Sequence, residues 1–141
     1  MLYKYPQCPW MDFAETEKLG GVREIAGNSH NRRIQEYLAS VNLAGASDET
    51  RWCAAFVNWC VTKAGYKPFP NAWAEAWGNY GTPTTPRFGA IAATAGHVGF
   101  FAYMKNGVPY LLGGNQSNMI TIAKATKPLN NLRFRWPVSK H

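Results

Sequence analysis

The segment RWCAAFVNWCVTKAG, residues 51 to 65, constrains the fold more than any other part of the chain. Between Trp52 and Val61 only Asn58 is polar, so a helix formed here is apolar around nearly its whole circumference. Such a helix holds in water only when it is covered on every side. Helical punctuation flanks it. Ser47-Asp48-Glu49-Thr50 offers capping and acidic groups at the front, and Lys63 and Gly65 supply a cation and a stop at the back. The rest of the chain must therefore place a sheet on one side of this helix and further helices on the other.

Both kinds of partner are legible. Residues 9 to 19 place Trp10, Phe13, Ala14 and Glu17 at helical intervals and end at Gly20-Gly21. A second helix, capped near Asn28 or Ser29, carries Ile34, Tyr37, Leu38 and Val41 on one face. Residues 71 to 80 read as a fourth, shorter helical piece. After Pro86 the pattern changes to short β-prone runs, FGAIAAT, HVGFFAYM, VPYLLGG, MITIAKA and LRFRW. Lys105-Asn106-Gly107 contains the Asn-Gly pair that favours a tight hairpin. Short links predict an antiparallel meander, and the fold class is α+β, with N-terminal helices packed on a C-terminal antiparallel sheet.

At 141 residues, with 46% hydrophobic and 16% charged residues, the chain is expected to form one globular domain over 1–141. No apolar run approaches the roughly 18 residues a membrane span needs, and MLYKYPQCPW lacks the apolar stretch of a signal peptide. Synthesis in the cytoplasm without membrane insertion is the expectation. A formal charge of +7 favours polyanionic surroundings. The basic residues are scattered, the longest run being Arg32-Arg33, and no recognition-helix or base-stacking signature accompanies them, so nucleic acid is not an expected partner.

The chemistry centres on cysteine. Cys8, Cys53 and Cys60 are odd in number and match neither a zinc spacing nor a redox pair. Cys53 falls in the first turn of the central helix, where free backbone N–H groups and the helix dipole stabilise a thiolate, although a small buried hydrophobe also suits the position. Cys60 lies two turns on, roughly 10 Å away by helical rise, within apolar neighbours, and reads as core. Among the histidines, His141 ends the sequence and His30 has a polar setting. His97 opens an aromatic strand after Thr94-Ala95-Gly96 and is the candidate base. Gly113-Gly114-Asn115-Gln116-Ser117-Asn118 closes the strand expected beside it. It offers Asn115 or Gln116 as the group orienting the imidazole, only one of which can face His97 from a continuous strand. Asp48-Glu49 reads as a helix cap rather than a glycosidase pair. Tryptophans 52, 59, 73 and 77 suit a sugar cleft or, by their spacing, a core.

With RWCAAFVNWC, GHVGF and GGNQSN together, the chain resembles small NlpC-type cysteine peptidases and their CHAP relatives (cysteine, histidine-dependent amidohydrolase/peptidase domains). The resemblance runs almost end to end, through PWMDFAETEKLGGVREIAGNSHNRRIQEYL, PRFGAIA and LRFRWP. It implies a papain-like fold with Cys53 as nucleophile, His97 as base and Asn115 as preferred third residue, Gln116 being the alternative, and Trp52 and Asn118 as substrate contacts. Ala54-Ala55 stands where many relatives have a Ser, and Ala90 where an Asp is common. The implied activity is peptidoglycan hydrolysis at stem or cross-link amides, endolysin-like, with neither metal nor organic cofactor. The expected protein is a monomer acting in the periplasm or wall after release by a lysis or secretion system. The alternatives are an interbacterial amidase toxin with an immunity partner and delivery apparatus, or an inactive wall-binding module.

Overall fold

The computed structural model describes residues 2–25, 31–46 and 51–140. Its helices are α1 (Trp10–Leu19), α2 (Arg32–Ser40) and α3 (Cys53–Lys63), and its strands are β1 (Thr82–Pro83), β2 (Ile91–Thr94), β3 (His97–Lys105), β4 (Val108–Gln116), β5 (Met119–Lys124) and β6 (Arg133–Trp136). Every residue from Trp52 to Val61 is buried. α3 contacts β3 and β4 on one side and α1 and α2 on the other, which is the covering its sequence demands. Aromatic rings fill both seams. Tyr37 of α2 packs against Trp52, Phe56 and Trp59, and Phe56 meets Phe100 of β3.

The one polar residue of that stretch has full employment. The Asn58 amide donates to the Ser40 carbonyl at 3.0 Å, and its oxygen accepts the Phe69 N–H at 2.7 Å. A buried carboxamide satisfied in this way locks α3 to the end of α2 and to the segment that follows α3. α1 is pinned by the Trp10 indole, which donates to the Gly89 carbonyl at 2.7 Å and meets Tyr66 and Trp136 edge-on.

Three local expectations need correction. α2 is capped by Asn31, whose side-chain oxygen accepts the N–H groups of Arg33 (2.8 Å) and Ile34 (3.4 Å). Asn28 and Ser29, the expected caps, lie outside the described residues, as do Ser47 to Thr50 ahead of α3. The fourth helical piece is a 3-10 turn, Ala74–Asn79, that buries Trp77.

The sheet, finally, is not a pure meander. Its order is β1-β6-β2-β3-β4-β5, antiparallel throughout, so β2 to β5 run as a meander while β6 returns to the far edge of β2. Ala92 pairs there with Phe134, which covers a ladder edge that would otherwise stand open. β1, unanticipated from the sequence, adds Thr82 opposite Trp136. The β3–β4 hairpin turns through Asn106 (φ 52°) and Gly107 (φ 76°), the two left-handed residues such a turn requires.

Candidate active site

The first α-helical bond of α3 runs from Phe56 N–H to the Trp52 carbonyl at 2.9 Å, so the N–H groups of Cys53, Ala54 and Ala55 precede the ladder. Cys53 sits in this turn, 4% exposed. β2 and β3 are joined through Ala95 and Gly96, the latter at φ 86°, and this tight reversal makes His97 the first residue of β3, opposite Thr94. Because the sheet packs on α3, the imidazole comes up beside the thiol, near enough for each to shift the other's ionisation.

A third side chain completes the row. Gln116 Nε2 donates to the carbonyls of Leu111 (3.2 Å) and Thr121 (2.7 Å), and carbonyls can only accept. That fixes the amide's orientation and leaves Oε1 to face His97 Nε2 at 2.9 Å. Nε2 must therefore carry a proton, and Nδ1 is the ring nitrogen left for Cys53. The expected third residue, Asn115, does not make this contact. The β4–β5 register shifts between Gly113 and Gln116, and Asn115 takes a left-handed φ of 58°, so the strand's alternation breaks there and Gln116 turns inward instead. Two glycines permit the approach. A Cβ on Gly113 would lie 2.8 Å from Gln116 Oε1, and one on Gly114 would lie 2.6 Å from the Trp52 ring.

Burial, the largest influence on Cys53, pushes its thiol up. The hydrogen bond and charge of His97, together with the N–H groups of Val98 and Ala54, outweigh it and hold the thiol below its ordinary range. For His97, burial again opposes the charged form, but the bond to Cys53, the charge of Cys53 and the bond to Gln116 raise the imidazole above its ordinary value, with the Arg51 charge working against them. Both shifts favour the thiolate–imidazolium pair. The other two cysteines go the opposite way: burial pushes Cys8 up to about 11 and Cys60 well above the usual thiol range.

A hollow of about 220 Å³ opens at Cys53, walled by Arg51, Ala72, Trp73, Ala74 and Gly96. A second, of about 300 Å³, opens on the other side of the row, where His97, Asn115, Gln116, Ser117, Lys124 and Thr126 meet. Asn115 thus belongs to the rim of the site. Trp52 does not contact substrate space, since it is fully buried and its indole donates to the Glu24 carboxylate at 3.0 Å. Asn118 is exposed at the β4–β5 turn, accepts the Glu24 N–H through its carbonyl and lines neither hollow. Sequence reasoning missed Arg51 and left Trp73 open between a cleft and the core. Arg51 donates to the Gly96 carbonyl and so braces the turn ahead of His97. Its adjacency to the Trp-Cys pair was the available signal, and for Trp73 it was the polar, proline-rich stretch in which it sits.

A family model described as CHAP domain matches residues 45–115, half of the chain, a span that holds Cys53 and His97 and stops one residue short of Gln116. Neither the curated proteins nor the solved structures contain a match.

Proposed function

The chain belongs to the CHAP domain family, whose members are generally amidases or peptidases acting on peptidoglycan, and from that premise we propose a cysteine peptidase or amidase of bacterial wall peptides, working as one domain over 1–141 with a papain-like division of labour between α3 and the sheet. The observation that carries the proposal is the row Cys53–His97–Gln116, with its paired pKa shifts and its fixed imidazole tautomer.

The Cys53 thiolate adds to an amide carbonyl of the wall peptide, forming the C–S bond and an oxyanion. The N–H groups that precede the helical ladder of α3 are placed to hold that oxyanion. As the C–N bond breaks, the departing amine takes the proton from His97 Nδ1, leaving a thioester on Cys53. Neutral His97 then accepts a proton from water, which attacks the thioester and releases the carboxylic acid and the thiolate. Gln116 keeps the ring in line through both transfers and stabilises the imidazolium by accepting from Nε2. The charge of +7 favours retention at anionic wall polymers, the expected place of action.

Purified walls treated with the protein should gain free amines and no new reducing ends. Iodoacetamide at neutral pH should modify Cys53 before Cys8 or Cys60 and stop the release of amines. Reducing sugar released in step with lysis and indifferent to alkylation would refute the cysteine mechanism.

A further inference from the structure

Trp52 and Trp77 are fully buried and Trp59 is 8% exposed, whereas Trp73 is 64% exposed. Its exposure is not that of a loosely held loop. Asn71 accepts the Trp73 backbone N–H through its side chain at 2.8 Å and the Trp77 indole through its carbonyl at 3.0 Å. Two residues earlier, Phe69 is tied to Asn58 and packs on Trp77 and Tyr80. The indole is thus held out into solvent by a segment anchored in the core.

What it faces is specific. Trp73 walls the Cys53 hollow and also a larger one of about 440 Å³, bounded by Glu75, Asn79, Asn130, Asn131 and Arg133. A Cβ on Gly78 would lie 2.7 Å from Arg133 Cδ, so this glycine lets the arginine lie against the 3-10 turn. The volume falls within the about 300–1,000 Å³ common for small-ligand pockets. Beside its flat aromatic face the hollow has small aliphatic walls from three alanines and Leu132, and its polar groups are Thr94, three carboxamides, a guanidinium and a carboxylate. A pyranose offers a C–H face for the indole, and its hydroxyl and acetamido groups pair with carboxamides that both donate and accept.

We propose that the hollow beyond Trp73 is a subsite for an N-acetylated amino sugar of the wall glycan, its ring seated against the indole. The proposal rests on the function proposed above and narrows it. With a sugar one hollow away from Cys53, the amide cleaved lies close to the glycan, at the sugar-to-peptide link or early in the stem, and not in a distant cross-link.

Binding is tested without turnover, on the Cys53→Ala protein titrated with a chitin oligosaccharide. Saturable change in indole fluorescence and in the Trp73 indole N–H resonance is expected, and Trp73→Ala in the same background should abolish the fluorescence response. No saturable change, or one that survives Trp73→Ala, overturns the subsite. Turnover is tested on one stem peptide with and without its disaccharide. The native enzyme should favour the sugar-bearing form by about tenfold or more in kcat/KM, chiefly through KM, and Trp73→Ala should bring the ratio towards one. Equal use of both forms, or preference for the bare peptide, also overturns it and assigns the hollow to peptide. If the protein cleaves no amide in any wall preparation, the proposed function falls, while the oligosaccharide titration still decides the subsite.

Discussion

Cys53 and Cys60 lie on one helix, seven residues apart, both buried and both flanked by apolar side chains, yet their thiols are driven in opposite directions. Cys53 is held low and Cys60 is pushed well above the thiol range. Desolvation is the leading influence on both, so burial does not separate them. The difference lies in what else reaches each sulfur. Cys53 meets His97 and N–H groups at the open end of α3, whereas Cys60 sits mid-helix near the charge of Glu17, which disfavours the anion further. Thiol reactivity here is a property of the helix end and its facing strand, not of depth in the core.

The sharpest way to break this contrast is to truncate each sulfur in turn. Cys53→Ala should reduce amide cleavage to background, a loss on the order of 10⁴-fold or more, with the near-ultraviolet circular dichroism preserved. Cys60→Ala should keep turnover near the native rate. A folded Cys53→Ala protein that still releases amines from walls would show that the two thiols had been assigned the wrong way round.

Removing the partner that distinguishes them comes next. His97→Ala should cost roughly 10²–10⁴-fold, because the leaving amine then has no positioned acid. In the native enzyme, rate should rise with pH as the thiolate forms, at a pH below the ordinary thiol range, and should fall as His97 loses its proton, at a pH above the ordinary imidazole range. The link is reciprocal. In Cys53→Ala the imidazole loses the two influences that raise it most, so its NMR titration should move to lower pH. A midpoint unchanged from native would mean that the pair is not coupled.

A smaller effect probes the far side of His97. Gln116→Ala removes the acceptor for Nε2–H and should lower kcat by about tenfold, the equivalent of one hydrogen bond. Asn115→Ala should cost less, since Asn115 only rims the adjoining hollow. Gly113→Ala should resemble Gln116→Ala, because the new methyl would press on the same amide. Steady-state kinetics with Asn115→Ala as the more damaged variant would return the orienting role to that residue.

The smallest effect is on stability. Cys60→Ala should lower the free energy of unfolding by about 1 kcal/mol through loss of packing, read as a shift of the urea midpoint at constant slope. A drop in activity of comparable size would be unexpected, since Cys60 has no contact with the row.

The central position of α3 was legible because an all-round apolar helix has only one stable environment. The candidate nucleophile stood out for a related reason: a cysteine in the first helical turn has a local electrostatic identity that does not depend on distant chain. His97 was legible as the opening of a strand. The third residue was not. Asn115 and Gln116 differ by one position in a strand whose regular alternation would let either be chosen, and the choice falls at a bulge whose left-handed Asn115 appears in no propensity pattern. Trp52 was expected at the substrate and Trp73 was left open between cleft and core, for a similar reason. Both are aromatic residues near the nucleophile, and whether each ring turns into the core or the cleft depends on partners such as Glu24 and Asn71 that are remote or conformation-specific.

What the sequence determined by itself, then, is everything set by periodicity and by the local chemistry of helix ends: an α+β layering around residues 53–63, a hairpin at Asn106-Gly107 and a thiol at the positive end of a helix. What only the tertiary structure decided is everything set by contact between distant segments: β6 on the outer edge of β2, Gln116 against His97, and Trp73 held outward beside Cys53. Periodicity is written residue by residue, within one element. The facing of side chains from different elements depends on register, bulges and the close approach that Gly113 and Gly114 allow, and those exist only once the sheet has closed on α3.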